Sequence, residues 1–272
     1  MSFWVLIILA VVQGLTEFLP ISSSGHLVLL YNFFGIENNI KLLSILLHIA
    51  TLLSVLIYYR KELIVLIKNP LCSTNRKLVV TTIFTCLVVL IIKPFIDNAF
   101  DGQYLFVFFI VTAMLLFISD YMADKRELLT RTSNFKSENI KIVNKTDVTS
   151  LLITYKQAIA IGITQGIACF PGISRSGSTI AIARMVGVEQ PARYSFLISI
   201  PIIIASFLME IFEGGIGALE VNVLLLILAM VICTIVGLMC IKVMTRLVER
   251  HRLIYFSYYL ILLAIILIVV GV

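Results

Sequence analysis

Long apolar stretches dominate this chain, and the places where polar residues interrupt them divide it into parts. Three stretches in the first half, at about 42–59, 78–96 and 104–121, and three in the second, at about 191–212, 221–244 and 253–270, approach the roughly 17–25 residues of a membrane-crossing helix. Two further stretches are split. Residues 2–34 are apolar on either side of a polar break around Leu19 and Pro20, and residues 153–186 repeat the pattern around Pro171. At about 1.5 Å per residue each half is short for a crossing. The pattern therefore predicts helix–loop–helix hairpins that enter and leave by one face. Irregular backbone at membrane depth is tolerated only where it is buried in protein or lines a cavity, so each break should line a cavity.

One hairpin and three crossings occur twice, joined by a polar segment. Because three is odd, the second half begins on the opposite face, and the halves must be inverted, with their hairpins meeting near the midplane. The predicted fold is an all-α polytopic membrane protein of two inverted repeats, each a re-entrant helix-loop-helix hairpin plus three transmembrane helices. Repeat 1 covers about 1–122, a cytoplasmic linker about 123–150 and repeat 2 about 151–272, all one integral membrane domain.

Composition agrees: 60% of residues are hydrophobic and 13% charged, against about 25% charged in soluble domains. The net charge of +6 does not point to nucleic acid, because the basic residues lie in short segments between spans. Arg60, Lys61, Lys68, Arg76 and Lys77, the linker, and the basic residues of 242–252 fall on one face. Glu37, Lys41, Asp97, Asp101, Glu210, Glu213 and Glu220 fall on the other. Positive charge favours the cytoplasm, which places both termini outside. No cleaved signal peptide is expected. The cysteines (72, 86, 169, 233 and 240) form no CxxC pair and read as small hydrophobes.

The two breaks carry the chemistry. Residues 13–26 read Gln-Gly-Leu-Thr-Glu-Phe-Leu-Pro-Ile-Ser-Ser-Ser-Gly-His, and residues 165–178 read Gln-Gly-Ile-Ala-Cys-Phe-Pro-Gly-Ile-Ser-Arg-Ser-Gly-Ser. Gln, Gly, Phe, Ile, Ser, Ser and Gly coincide without gaps. The frame is shared and the functional groups differ: Glu17 aligns with Cys169, Ser23 with Arg175 and His26 with Ser178. One copy supplies an acid and an imidazole, the other a guanidinium. In each, Ile-Ser-x-Ser-Gly opens an apolar helix, whose free N–H groups and dipole attract an anion. Gly25 and Gly177 allow close backbone approach. Arg175 offers a planar fork suited to phosphate, and Pro20 and Pro171 end the preceding helices.

An oxyanion, above all phosphate, is the expected ligand. An ionised group at bilayer depth is costly and marks function. Glu17 could hold a divalent ion or position a base. His26 could pass a proton near neutral pH, and Ser22, Ser23 and Ser24 could attack or donate to phosphate. Against this stands a bland reading in which the Ser-Gly and Pro-Gly runs are only caps and breaks. Three functional groups in duplicated breaks outweigh it. Core packing or a supporting role is expected of His48, an interfacial position of His251, and a bracing or orienting role of Gln13 and Gln165.

These two motifs, with Pro-Gly-Ile-Ser-Arg-Ser-Gly-Ser-Thr at 171–179 completing the second, resemble the two signatures of the undecaprenyl-diphosphate phosphatases, the bacitracin-resistance membrane proteins of bacteria. Length, span pattern and motif spacing are similar over essentially the whole chain. The resemblance implies hydrolysis of undecaprenyl diphosphate to undecaprenyl phosphate, which recycles the lipid carrier of peptidoglycan synthesis. It implies a multi-pass protein of the bacterial cell membrane with its site open to the outer face, and a divalent cation, Mg or Ca, with Glu17 as its protein ligand. By motif match Glu17, Ser23, His26 and Arg175 take catalytic positions. Gln13, Ser22, Ser24, Gly25, Ser174, Ser176, Gly177 and Thr179 take substrate-binding ones. The expected partners are the polyprenyl diphosphate lipid, the membrane and a second copy in a homodimer. Gln13 stands where many members have Glu. Ser44 replaces an acid that members often carry, and Phe84 replaces a proline.

The expected mechanism has Arg175, the hairpin N–H groups and a metal held partly by Glu17 binding the charge at phosphorus while Ser23, assisted by His26, or a water attacks; the residues do not choose between them. A transporter or flippase of a polyprenyl phosphate would use Arg175 and the helix ends equally well, though it needs no Glu17–His26 pair. An acid-phosphatase-like enzyme would need a second histidine with an acid four residues on; the only later histidine is His251, followed by Tyr255.

Overall fold

The computed structural model describes residues 2–36, 40–99, 104–133, 151, 153–212, 222–250 and 252–271. His251 and residues 134–150 of the expected linker lie outside them. The described residues form eleven helices and no strand. They are α1 Phe3–Thr16, α2 Ser23–Phe34, α3 Ile40–Tyr58, α4 Arg60–Lys68, α5 Ser73–Ala99, α6 Leu105–Ser133, α7 Tyr155–Ile167, α8 Arg175–Met185, α9 Pro191–Phe212, α10 Val223–Glu249 and α11 Ile254–Val270.

Among the described residues, α5, α6, α9 and α10 are long and apolar enough to cross a membrane. A fifth span is added if α3 and α4, bent by 77° at Tyr59, count as one. The expected sixth span, α11, is a 17-residue apolar helix. Its start is fixed where the N–H of Ile254 donates to Asp120 Oδ2 at 2.7 Å, and Gly271 ends it with φ +80°.

Two polar segments expected as connections are partly helical. Within 59–77, α4 forms because Leu66 is buried, while Asn75 Nδ2 donates to Leu66 O at 2.8 Å and Asn69 O at 3.0 Å, closing the corner into α5. Residues 122–133 continue α6 because they contain neither Pro nor Gly.

The two hairpins, α1–α2 and α7–α8, are present as expected. The first helix of each is clamped to a span of the other half: α1 runs along α10, and α7 runs along α5. Both contacts need glycine. A Cβ on Gly14 would lie 2.7 Å from Cys233 O, and one on Gly166 would lie 2.6 Å from Val88 Cβ. Hydroxyls stitch the close backbones together, as when Thr85 Oγ1 donates to Gly162 O at 3.0 Å and Ser54 Oγ to Thr234 O at 2.9 Å. Phe84 packs at the α5–α7 crossing, where its Cβ is 3.0 Å from the position of a Gly162 Cβ.

Elsewhere α6 packs on α8 and α11, and α3 on α9 and α10. Arg184, at the end of α8, forms a buried ion pair with Asp120 of α6. Because Asp120 also caps α11, one carboxylate joins three helices.

Candidate active site

The turn after α1 brings Glu17 into the protein interior, 4% exposed. Burying a carboxylate is costly unless it is paired and hydrogen-bonded, and every neighbouring element contributes a partner. One helical turn earlier, Gln13 Nε2 donates to Glu17 Oε2 at 3.0 Å. Ser23, the first residue of α2, donates its Oγ–H to the same oxygen at 2.6 Å. Arg175, the first residue of α8, pairs through Nη2 with Oε1. His48 of α3 places Nε2 3.3 Å from Oε2. The acid of one hairpin and the guanidinium of the other thus meet directly.

The hairpin tips interlock around this pair. Ser176 Oγ donates to Leu19 O at 3.2 Å. A Cβ on Gly25 would lie 3.0 Å from Gly172 Cα, and one on Gly177 would lie 3.0 Å from Pro20 Cβ. Both glycines are needed where backbones this close cross. Each second helix is capped by its own serine: Ser22 Oγ accepts from Gly25 N–H at 3.3 Å, and Ser174 Oγ from Gly177 N–H at 3.0 Å. Ser24 lies 3.3 Å from Ser22 Oγ. Two helix N-termini, both electropositive ends, therefore open beside the Glu17–Arg175 pair.

Thr179 is turned elsewhere. Its hydroxyl contacts Arg175 O at 2.8 Å and Ser195 Oγ at 2.6 Å, which braces α8 against α9.

His26 sits on the first turn of α2, but neither nitrogen reaches Glu17 or Arg175. Nδ1 is 2.7 Å from Ser22 O, and Nε2 is 2.7 Å from the hydroxyl of Tyr259 on α11. The rings of His26 and Tyr259 stack at 5.8 Å with 11° between planes, and Phe109 meets the imidazole edge-on at 5.7 Å. Glu17, Ser23 and Arg175 are in contact, whereas His26, expected around the same anion-sized space as Glu17 and Arg175, is held toward α11.

Two contacts extend the sequence reading. His48 touches Glu17, its Nδ1 anchored at 2.7 Å to the carbonyl of Ser44, the residue that replaces an acid. The signal for it was an imidazole within an apolar span. Tyr259 had no signal, being one aromatic among several near the start of α11.

As a metal site this donor set fits poorly. Glu17 is the carboxylate of the cluster, and both its oxygens are engaged, one by a cation. Among the described residues no group of three or more His, Cys, Asp or Glu side chains could hold an ion. Gln13 Oε1, buried without a hydrogen-bond partner, adds one neutral oxygen beside the carboxylate.

The resemblance extends well beyond the motifs. The family profile described as "Bacitracin resistance protein BacA" matches residues 6–266. An undecaprenyl-diphosphatase of Carboxydothermus hydrogenoformans is 34% identical over 93% of this chain and 91% of its own length. One from Thermosipho africanus is 35% identical over 97% and 99%, and undecaprenyl-diphosphatase 4 of Bacillus cereus is 37% identical over 93% and 91%. With Glu17 and Arg175 brought together from motifs that both lie inside the matched region, the chain belongs to the bacitracin resistance protein BacA family.

Proposed function

We propose that this protein is an undecaprenyl-diphosphate phosphatase, which hydrolyses undecaprenyl diphosphate to undecaprenyl phosphate and phosphate and so recycles the lipid carrier of peptidoglycan synthesis. The observation that carries the reading is the Glu17–Arg175 pair between two interlocked helix N-termini, in a chain similar to undecaprenyl-diphosphatases along nearly its whole length. A diphosphate headgroup takes Arg175 and the N–H groups at the starts of α2 and α8, and drawing Arg175 onto phosphate frees one oxygen of Glu17.

Ser23 is then the best-placed nucleophile, since its Oγ already donates to Glu17. The Ser23 oxygen bonds to the terminal phosphorus and its proton passes to Glu17. The bridging P–O bond breaks and undecaprenyl phosphate leaves. Water then cleaves the phosphoserine and releases inorganic phosphate. Positioning and fixed positive charge supply most of the acceleration in such a transfer.

The two halves are read as inverted repeats. This is supported by reciprocal packing, α1 on α10 and α7 on α5, with the corresponding helices α6 and α11, and α3 and α9, paired with each other. Basic residues on α4, at the start of α5 and at the end of α10 support an orientation with those ends in the cytoplasm and the site open to the outer face of the bacterial cell membrane.

The test is phosphate release from undecaprenyl diphosphate by purified protein. Activity should fall by at least about 100-fold in Arg175→Ala and in Glu17→Ala, and acid-quenched wild type should carry phosphoserine at Ser23. Lipid translocation without phosphate release would replace the phosphatase with a transporter. Full activity in both variants would remove the site assignment.

A further inference from the structure

His26 is the reactive group of the first hairpin that stays outside the Glu17–Arg175 cluster, and the contact that holds it there comes from α11. Ser22 O can only accept, so the nitrogen 2.7 Å away, Nδ1, carries a hydrogen. In the neutral ring Nε2 is then bare, and the hydroxyl 2.7 Å from it, on Tyr259, is the donor. One ring nitrogen is fixed as N–H by the bond it makes, and the other is left as the base. The phenol ring lies almost parallel to the imidazole, and Phe109 closes the adjacent edge. The polar neighbours of His26 are thus the backbone carbonyls of Ser22 and Ile21 and a phenol, all uncharged.

The placement of Tyr259 is itself determined. Two residues earlier, Ser257 Oγ donates to Ala113 O at 2.8 Å, which locks α11 against α6. The first turn of α11 is pinned to Asp120. Tyr259 is 42% exposed, so its hydroxyl sits at the rim of the site and can turn away without unpacking the core.

We propose that Tyr259 is the positioning residue for His26: with Nδ1 fixed as N–H on Ser22, its hydroxyl holds the basic Nε2 toward α11 until substrate displaces the phenol. Only hydrogen bonds change in this exchange. The phenol gives up Nε2 and swings aside, while the ring keeps its Nδ1–H on Ser22 and its Nε2 lone pair is left free to accept a proton. The kinetic consequence rests on the phosphatase reading; the hydrogen-bond geometry does not.

The experiment has two arms on the full-length protein in detergent. In the first, histidine is labelled with nitrogen-15 and His26 is assigned by the loss of its signals in His26→Gln. Wild type should show His26 as the Nδ1–H form with a hydrogen-bonded Nε2. Tyr259→Phe, which keeps the stacked ring, should move Nε2 downfield to the shift of an unbonded nitrogen. In the second, phosphate release from undecaprenyl diphosphate by Tyr259→Phe should show KM lowered about 10-fold with kcat nearly unchanged, because the phenol contact that substrate must displace is already gone. Tyr258→Phe, at an exposed neighbouring position, should behave as wild type.

A His26 signal of the Nε2–H form in wild type overturns the proposal without any variant. So does a Tyr259→Phe protein that matches wild type in both Nε2 shift and KM. Absence of phosphate release from wild type removes the phosphatase reading instead, and the nitrogen-15 arm still decides the role of Tyr259.

Discussion

The two hairpins share a sequence frame and differ in how firmly they are held. Almost all of α8 is buried, from Ser176 to Ala181 and again at Ala183 and Arg184, and it packs on α6, α7 and α9. α2 buries only Ser23, Gly25, Leu27, Val28 and Tyr31, and it packs mainly on its partner α1. α8 ends on the Arg184–Asp120 pair, whereas α2 ends at Gly35, with open space around it.

The backbones differ in the same sense. The second hairpin turns through Gly172 at φ +94° and leaves Ser174 relaxed at φ −74°. The first puts positive φ on a serine, Ser22, at +68°. The anchored hairpin presents a fixed cation. The looser one carries the acid, the hydroxyl and the imidazole, and each of the first and last is steadied by a side chain from a distant helix: Glu17 by Arg175 and His48, His26 by Tyr259.

The comparison breaks most visibly at the ion pair. Arg175→Met leaves the Glu17 carboxylate buried without its cation and should cost about 3–5 kcal/mol, read as a lower unfolding midpoint in detergent. Glu17→Gln combined with Arg175→Met should regain most of that loss. Equal midpoints for the single and double variants would mean that the hairpins are not coupled through this pair.

A smaller effect isolates the second hairpin. Thr112 Oγ1 accepts from Ser174 N–H at 3.0 Å and contacts Gly172 O at 3.3 Å. Thr112→Val orphans a buried N–H, which costs about 1–3 kcal/mol, and should speed amide exchange in α8 more than in α2. Uniform exchange would argue against separate anchoring.

The smallest effect has opposite signs in the two copies. A cap serine replaced by glycine loses only a few tenths of a kcal/mol, but at Ser22 glycine also relieves a strained φ worth about 1–3 kcal/mol. Ser22→Gly should raise the unfolding midpoint, whereas Ser174→Gly should lower it slightly.

Much of this arrangement was legible in the sequence. Long apolar runs have one stable solution in a membrane, so α9 has the bounds its run predicts, 191–212, and the proline breaks marked both hairpin tips. Duplication exposed Glu17 and Arg175, because a group that departs from a repeated frame stands out. What stayed hidden depends on tertiary placement. α4 is helical through the burial of Leu66, which composition cannot show. His48 acts on Glu17 only because α3 passes the turn after α1. Tyr259 lies 233 positions from His26, in a helix whose register is set by Asp120 and Ser257.

Asp120 adds a matter of timing. Its partners are Arg184 and the N–H of Ile254, so on a chain emerging from its N-terminus the carboxylate gains its cation with α8 and its backbone donor only later, with α11. A chain halted before residue 254 has every group of the two motifs yet lacks both the third member of this junction and the phenol that parks His26. α11 thus closes a junction that α6 and α8 have already joined: until it is in place, Asp120 lacks the N–H it takes up in the folded protein.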